Sequence, residues 1–232
     1  MDLIKISELY CSYSSVPVLS DINFNIQKGM YLCFFGENGS GKSTLMKAIL
    51  GLVPIQKGKI ETQKGLEIGY LPQQTPVQRD FPASVFEVAL SGFVKKKGFR
   101  PFYSKSMKHE TMHILETVGM EKFAHRSYKE LSGGQQQRIL LARALAASKD
   151  ILMLDEPVTA LDPVASAEFY DIIRKLNKNG CTIVMVSHDI KEALKDATHV
   201  LHIRDNKAEF FGTKEDYINS AYGKYYLQEE KQ

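Results

Sequence analysis

The feature that most restricts what this chain can fold into is a glycine-rich octet set between two apolar segments of different period. Gly36-Glu37-Asn38-Gly39-Ser40-Gly41-Lys42-Ser43 fits the pattern G-x4-G-K-[ST]. Ahead of it, residues 30–35 are continuously apolar, as expected of a short strand buried on both faces. Behind it, Leu45 with Ile49, and Met46 with Leu50 and Val53, recur at helical spacing until Gly51 and Pro54 end the pattern. Strand, glycine loop and helix in that order form a phosphate cradle. The glycines let backbone N–H groups turn inward, and the helix adds its positive end. Lys42 is then expected to reach the β- and γ-phosphates of a nucleotide, and the Ser43 hydroxyl to ligate Mg2+.

A second element carries the complementary charge. Ile151-Leu152-Met153-Leu154-Asp155-Glu156 is an apolar strand that delivers two carboxylates at its carboxyl end, where ligands sit in open α/β sheets. Asp155 is expected to hold Mg2+, and Glu156, the next residue, to act as base or to position water. A further buried strand is legible at Thr182–Val186, after a helical stretch around 169–176. The alternation of strand and helix implies a parallel α/β sheet. Residues 18–26 instead alternate, with Ile22, Phe24 and Ile26 on one side and Asp21, Asn23 and Asn25 on the other. These residues and the strands within 59–71 are expected to form a small antiparallel β layer. An inserted α-helical lobe is expected over about 76–145, its amphipathic patterning clearest over 76–130. The whole of 1–232 is read as one domain.

The third element is Leu131-Ser132-Gly133-Gly134-Gln135, followed by a helix carrying Ile139, Leu141, Ala142, Leu145 and Ala146. Ser132 and two glycines at a helix start make a second anion site, with exposed N–H donors, a hydroxyl and the helix dipole. With the two motifs above, this segment resembles the signature of ATP-binding cassette (ABC) ATPases, and the resemblance covers nearly the whole chain. It implies a P-loop NTPase core that binds ATP and Mg2+ and hydrolyses ATP. Glu37, Asn38, Gly39, Ser40, Gly41 and Thr44 would contact the nucleotide beside Gly36, Lys42 and Ser43. Ser132, Gly133, Gly134 and Gln135 would meet the nucleotide of a second copy in a head-to-tail homodimer. By the same resemblance Tyr13 stacks on adenine, and Gln73 senses Mg2+ and the γ-phosphate. Asp162, in Ala160-Leu161-Asp162, belongs to the loop after the second carboxylate, and His188 contacts the γ-phosphate.

The remaining composition sets limits. Thirty Lys and Arg against 27 Asp and Glu leave a net charge of +3, which gives no electrostatic case for a nucleic-acid partner. Cys11, Cys33 and Cys181 have no C-x-x-C spacing and read as free buried thiols in a reducing compartment. No secretory signal is expected, and no apolar run comes near the roughly 20 residues that span a bilayer. A cytoplasmic protein that reaches a membrane only through a partner is therefore expected, and the resemblance implies that it sits at the inner face of the plasma membrane. His109-Glu110-Thr111-Met112-His113 fits the zinc-protease pattern H-E-x-x-H. At about 100° per residue, however, Ile114, Leu115, Val118 and Met107 share the buried face and the two histidines lie opposite, so the match reads as a solvated face. Lys95, Lys96 and Lys97 read as a solvated loop that could face anionic lipid.

Within the ABC ATPases, the segment 79–92, with Val118-Gly119-Met120 downstream, resembles the helical lobe of zinc and manganese uptake ATPases. That resemblance implies an ATPase subunit powering import of a divalent metal, zinc before manganese. Integral membrane permease subunits and an extracytoplasmic substrate-binding protein would be its partners. Phe81, Val85 and Phe86 are expected to line a groove for a permease helix. The alternatives are a siderophore or cobalamin importer, or a soluble ABC ATPase outside transport.

Overall fold

The computed structural model describes residues 1–13, 16–73 and 82–229, with the backbone alone for Tyr13, Gln228 and Glu229. Two compact units share them, Met1–Leu66 with Thr182–Gln232, and Glu67–Cys181. In the first unit the chain runs through β1 (Asp2–Tyr13), β2 (Val16–Gln27), β3 (Tyr31–Phe35), α1 (Lys42–Ile49) and β4 (Lys57–Thr62). The second unit contains β5 (Ile68–Leu71), α2 (Val85–Leu90), α3 (Val94–Lys97), α4 (Lys105–Thr117), α5 (Gly133–Ala147), β6 (Ile151–Asp155) and α6 (Pro163–Lys178). The chain then returns to the first unit with β7 (Thr182–Val186), α7 (Ile190–Asp196), β8 (His199–Arg204), β9 (Lys207–Thr213), α8 (Lys214–Asn219) and α9 (Ala221–Glu229).

In the first unit β1 lies between β2 and β4 and is antiparallel to both. Ile22, Phe24 and Ile26 are buried, while Asp21 and Asn23 face water, as the period-2 alternation requires. Strand β3 is parallel to β7 on one side and to β8 on the other, and β9 adds antiparallel to β8. All five residues of β3 and all five of β7 are buried, which is why both read as unbroken apolar runs. Phe24 of the antiparallel layer meets Phe34 of β3 edge-on at 5.8 Å, and Phe211 of β9 at 5.6 Å, so the two sheets share one core. The three cysteines are free and buried, as expected, and burial pushes the Cys33 thiol far up.

In the second unit β5 and β6 pair in parallel, and the described elements between them are helices. Ser84 caps α2 in a capping box with Glu87, and Ser132 caps α5 in another with Gln135. Helix α5 lies directly against β5, because a Cβ on Gly69 would stand 2.4 Å from the Ala144 carbonyl oxygen. These elements make the expected α/β fold: a parallel core, an antiparallel β layer and a helical insertion.

Two local expectations are corrected. Of the strands within 59–71, only β4 joins the antiparallel layer, whereas Ile68–Leu71 pairs in parallel with β6. A four-residue apolar strand carries no mark of its partner, and here the side-chain-free Gly69 admits α5 and seats β5 under it. Lys95, Lys96 and Lys97 form a short helix, not a loop. Helix α4 has Ile114 and Leu115 buried and His109 and His113 exposed, as its periodicity requires. Among the described residues no group of three or more His, Cys, Asp or Glu could hold a metal ion, and no helix is long and apolar enough to cross a membrane.

Candidate functional site

The glycine loop of the first unit follows β3 and delivers α1. Gly36, Gly39 and Gly41 have φ of 138, 82 and 103°, which L side chains rarely adopt. A Cβ on Gly36 would stand 2.1 Å from the Ile203 carbonyl oxygen of β8, and one on Gly41 2.8 Å from that of Val18. Lys42 is buried, and its Nζ donates to the Gly36 and Glu37 carbonyl oxygens at 2.8 and 2.7 Å. The ammonium is thus held inside the loop. Ser40 Oγ is buried with no hydrogen-bond partner among the described residues, an orphan of the kind an oxyanion ligand would satisfy. Glu37, Asn38 and Gly39 form the exposed rim, and Ser43 and Thr44 are half-buried in the first turn of α1. In the same unit His188 is exposed two residues beyond β7, ahead of Asp189, which caps α7 through the Glu192 N–H.

Sequence reading missed the residues behind this loop. His202 of β8 is fully buried, its Nδ1 2.9 Å from the Tyr217 hydroxyl and its ring 4.6 Å from that of Tyr226. Burial, with smaller contributions from Arg204 and Lys42, pulls its pKa down to about 4 against the opposing pull of Glu209. The Tyr226 hydroxyl donates to Glu37 Oε1 at 3.4 Å, so α9 touches the rim of the glycine loop. The cluster of tyrosines in the last turns of the chain was the available signal.

In the second unit the parallel pairing of β5 and β6 brings their carboxyl ends together. Asp155, at the end of β6, is buried, and such a carboxylate suits a divalent cation. Glu156 follows with φ 49°, a left-handed conformation that is costly for a residue with a side chain and common at functional sites. Gln73 Nε2 donates to Glu156 Oε2 at 2.9 Å, and Thr159 Oγ1 donates to the same oxygen at 3.4 Å. The Tyr70 hydroxyl is pushed up to about 12 by burial first and by the Asp155 charge second.

The signature segment starts α5. Ser132 Oγ accepts from the Gln135 N–H at 3.4 Å, and Gln135 Oε1 accepts from the Ser132 N–H at 3.1 Å. The Gln135 side chain is therefore engaged in the cap. Ser132 and Gly133 are exposed, and a Cβ on Gly133 would meet nothing within 4 Å. A Cβ on Gly134 would stand 2.9 Å from that of Ala165. Asp162 caps α6, accepting from the Ala165 N–H at 2.9 Å, with Pro163 at the first helical position. Val85 is buried within α2 and Phe86 half-buried, so Val85 does not line an open groove. The Tyr13 side chain, Asp80 and Phe81 lie outside the described residues.

Comparison with known proteins gives these groups a family. The model of the ABC transporter family matches residues 19–159. The zinc transport system ATP-binding protein TroB of Treponema pallidum is 34% identical over 95% of this chain and 86% of its own length. The zinc uptake system ATP-binding protein ZurA of Listeria monocytogenes is 34% identical over 93% of this chain and 87% of its own. The manganese transport system ATP-binding protein MntB of Bacillus subtilis is 36% identical over 87% of this chain and 84% of its own. Among solved structures, an inward-facing ABC transporter assigned to the metal-chelate type superposes with a TM-score of 0.84 at 28% identity, over 94% of this chain and 86% of that one. The ADP conformation of an ATP-binding cassette superposes at 0.82 with 21% identity, over 96% and 95% of the two chains, a likeness of fold alone. The family binds ATP, generally with Mg2+, and its ATPases dimerise and work with membrane permeases. This chain belongs to the ABC transporter family, as a subunit that hydrolyses ATP to drive transport.

Proposed function

We propose that the chain is the ATPase of a divalent-metal uptake system, zinc before manganese, held at the inner face of the plasma membrane by its permease and served by an extracytoplasmic binding protein. The observation that carries this reading is the extent of the similarity to TroB, ZurA and MntB, which reaches over most of each chain. Residues 1–232 then act as one nucleotide-binding domain with its helical lobe over about 76–145.

In this reading Lys42 and the backbone of 36–41 hold the β- and γ-phosphates, and Tyr13 supports the base. The Ser40 hydroxyl gains a phosphate acceptor and Thr44 supports the first turn of α1. Ser43, Asp155 and Gln73 hold Mg2+, which when bound offsets phosphate charge. Glu156 accepts a proton from the attacking water, while the bond from Gln73 orients its carboxylate. His188 and the loop at Asp162 complete the phosphate surroundings. The exposed start of α5, with Ser132 and Gly133 open to solvent, supports docking on the nucleotide of a second copy arranged head to tail. Removing the gene should lower cellular zinc or manganese under chelation. Unchanged metal content with impaired siderophore or cobalamin uptake would replace the metal reading with the chelate one, which the likeness to a metal-chelate type transporter favours as the second choice.

A further inference from the structure

The stretch between Glu87 and Glu110 holds 22 residues with no carboxylate, five lysines and one arginine. Its centre, from the end of α3 to the start of α4, is held from below. Lys96 Nζ pairs with Glu67 at 3.3 Å and donates to the Ala146 carbonyl oxygen at 3.3 Å. Lys97 lies over the Tyr103 ring at 5.1 Å, and Ser104 caps α4 through the Met107 N–H. Above this base Phe99 and Phe102 stand in water, 109% and 81% exposed. Among the described residues Lys95, Arg100 and Lys105 make no ion pair. Two exposed phenyl rings three residues apart, flanked by cations in a stretch without carboxylates, are left uncovered by the described residues.

Anionic lipid complements this arrangement. Cationic side chains gain from the negative surface of a leaflet, and aromatic rings are favoured at the boundary between headgroups and acyl chains. Stable attachment needs both an apolar and a basic contribution, and this segment supplies the two together. We propose that residues 94–105 contact an anionic bilayer directly, with Phe99 and Phe102 entering the headgroup layer and Lys95, Arg100 and Lys105 against lipid phosphates. The contact is separate from the permease and independent of which substrate is carried.

Flotation of the full chain with vesicles tests this, comparing phosphatidylglycerol mixed with phosphatidylethanolamine against phosphatidylcholine alone. Binding to the anionic vesicles should be at least about ten-fold stronger, and should weaken as the Debye length falls from about 10 Å at 0.1 M salt to about 3 Å at 1 M. Neutralising Lys95, Arg100 or Lys105 to Gln should each cost about five-fold. Phe99→Ser with Phe102→Ser should cost about ten-fold or more, with ATP hydrolysis in solution unchanged as the check on folding. The chain has no Trp, so Phe99→Trp supplies a lone reporter whose emission should shift to the blue on anionic vesicles. Four results would each overturn the proposal: no flotation of the wild type, equal binding to both vesicle types, undiminished binding by the phenylalanine variant, or tighter binding to a single-stranded oligonucleotide. Loss of hydrolysis in the wild type would instead count against the ATPase reading, leaving the lipid result to stand by itself.

Discussion

His202 makes the stability of this chain depend on acid in a way that can be worked from its surroundings. The imidazole is fully buried, packed against Tyr217, Tyr222 and Tyr226, with Nδ1 bonded to Tyr217 and Nε2 without a partner among the described residues. It is therefore neutral in the fold, with a pKa near 4 against an ordinary value of 6.5. The folded form binds this proton less tightly than the unfolded chain, so protons favour unfolding. The contribution of the group is complete above pH 6.5 and is lost as the pH falls through about 4. Each tenfold difference in proton affinity is about 1.4 kcal/mol, which makes the loss from pH 7.5 to 4 about 3 kcal/mol. His202→Phe keeps an aromatic ring in the nest and removes the titration. It leaves the Tyr217 hydroxyl without its partner, a cost of about 1–3 kcal/mol that does not change with pH in this range. Urea unfolding of both proteins across this range isolates the effect, because carboxylates common to both cancel in the difference. The wild type should lose about 3 kcal/mol relative to the variant between the two ends. A difference that stays constant would refute the buried neutral histidine, as would a His202 titration near 6.5 by NMR.

Glu156→Gln preserves the shape and the left-handed backbone but cannot take a proton, so turnover should fall about 10^2- to 10^4-fold with ATP affinity kept; wild-type turnover would remove Glu156 from the mechanism. For the signature the structure directs the test to Gly133, since Gly134→Asp would press its Cβ on Ala165 and disturb α6. Gly133→Asp should abolish hydrolysis while leaving ATP binding by the monomer near wild type, and Lys42→Ala should weaken binding itself; equal loss of monomer affinity in both, by calorimetry, would place the signature in cis. Tyr226→Phe frees the Glu37 carboxylate beside the glycine loop, so KM for ATP should rise about two- to five-fold with kcat unchanged, the scale of one hydrogen bond. In a Glu37→Ala background, which has no side-chain acceptor, the same change should have no further effect, and additive losses would show that Tyr226 acts elsewhere.

What the sequence determined by itself is the set of features whose cause is local. Three glycines in eight residues dictate a loop because only glycine takes the φ values at Gly36, Gly39 and Gly41 without strain. The unbroken apolar runs of β3, β6 and β7 declare burial on both faces, and the helix at 133–147 starts at Ser132 because Ser132 and Gln135 satisfy each other's backbone donors. Family membership follows from these motifs, since their order along the chain needs no knowledge of contacts. Tertiary structure decided everything that depends on which distant segment lies alongside. Ile68–Leu71 joined β6, and that pairing is what sets Gln73 at 2.9 Å from Glu156. The left-handed turn at Glu156, the choice of Gly133 over Gly134 as the open position, and the bond from Tyr226 to Glu37 are equally invisible in a linear reading. A short apolar strand or a single tyrosine has many acceptable neighbours, and packing of residues far apart in sequence selects one of them.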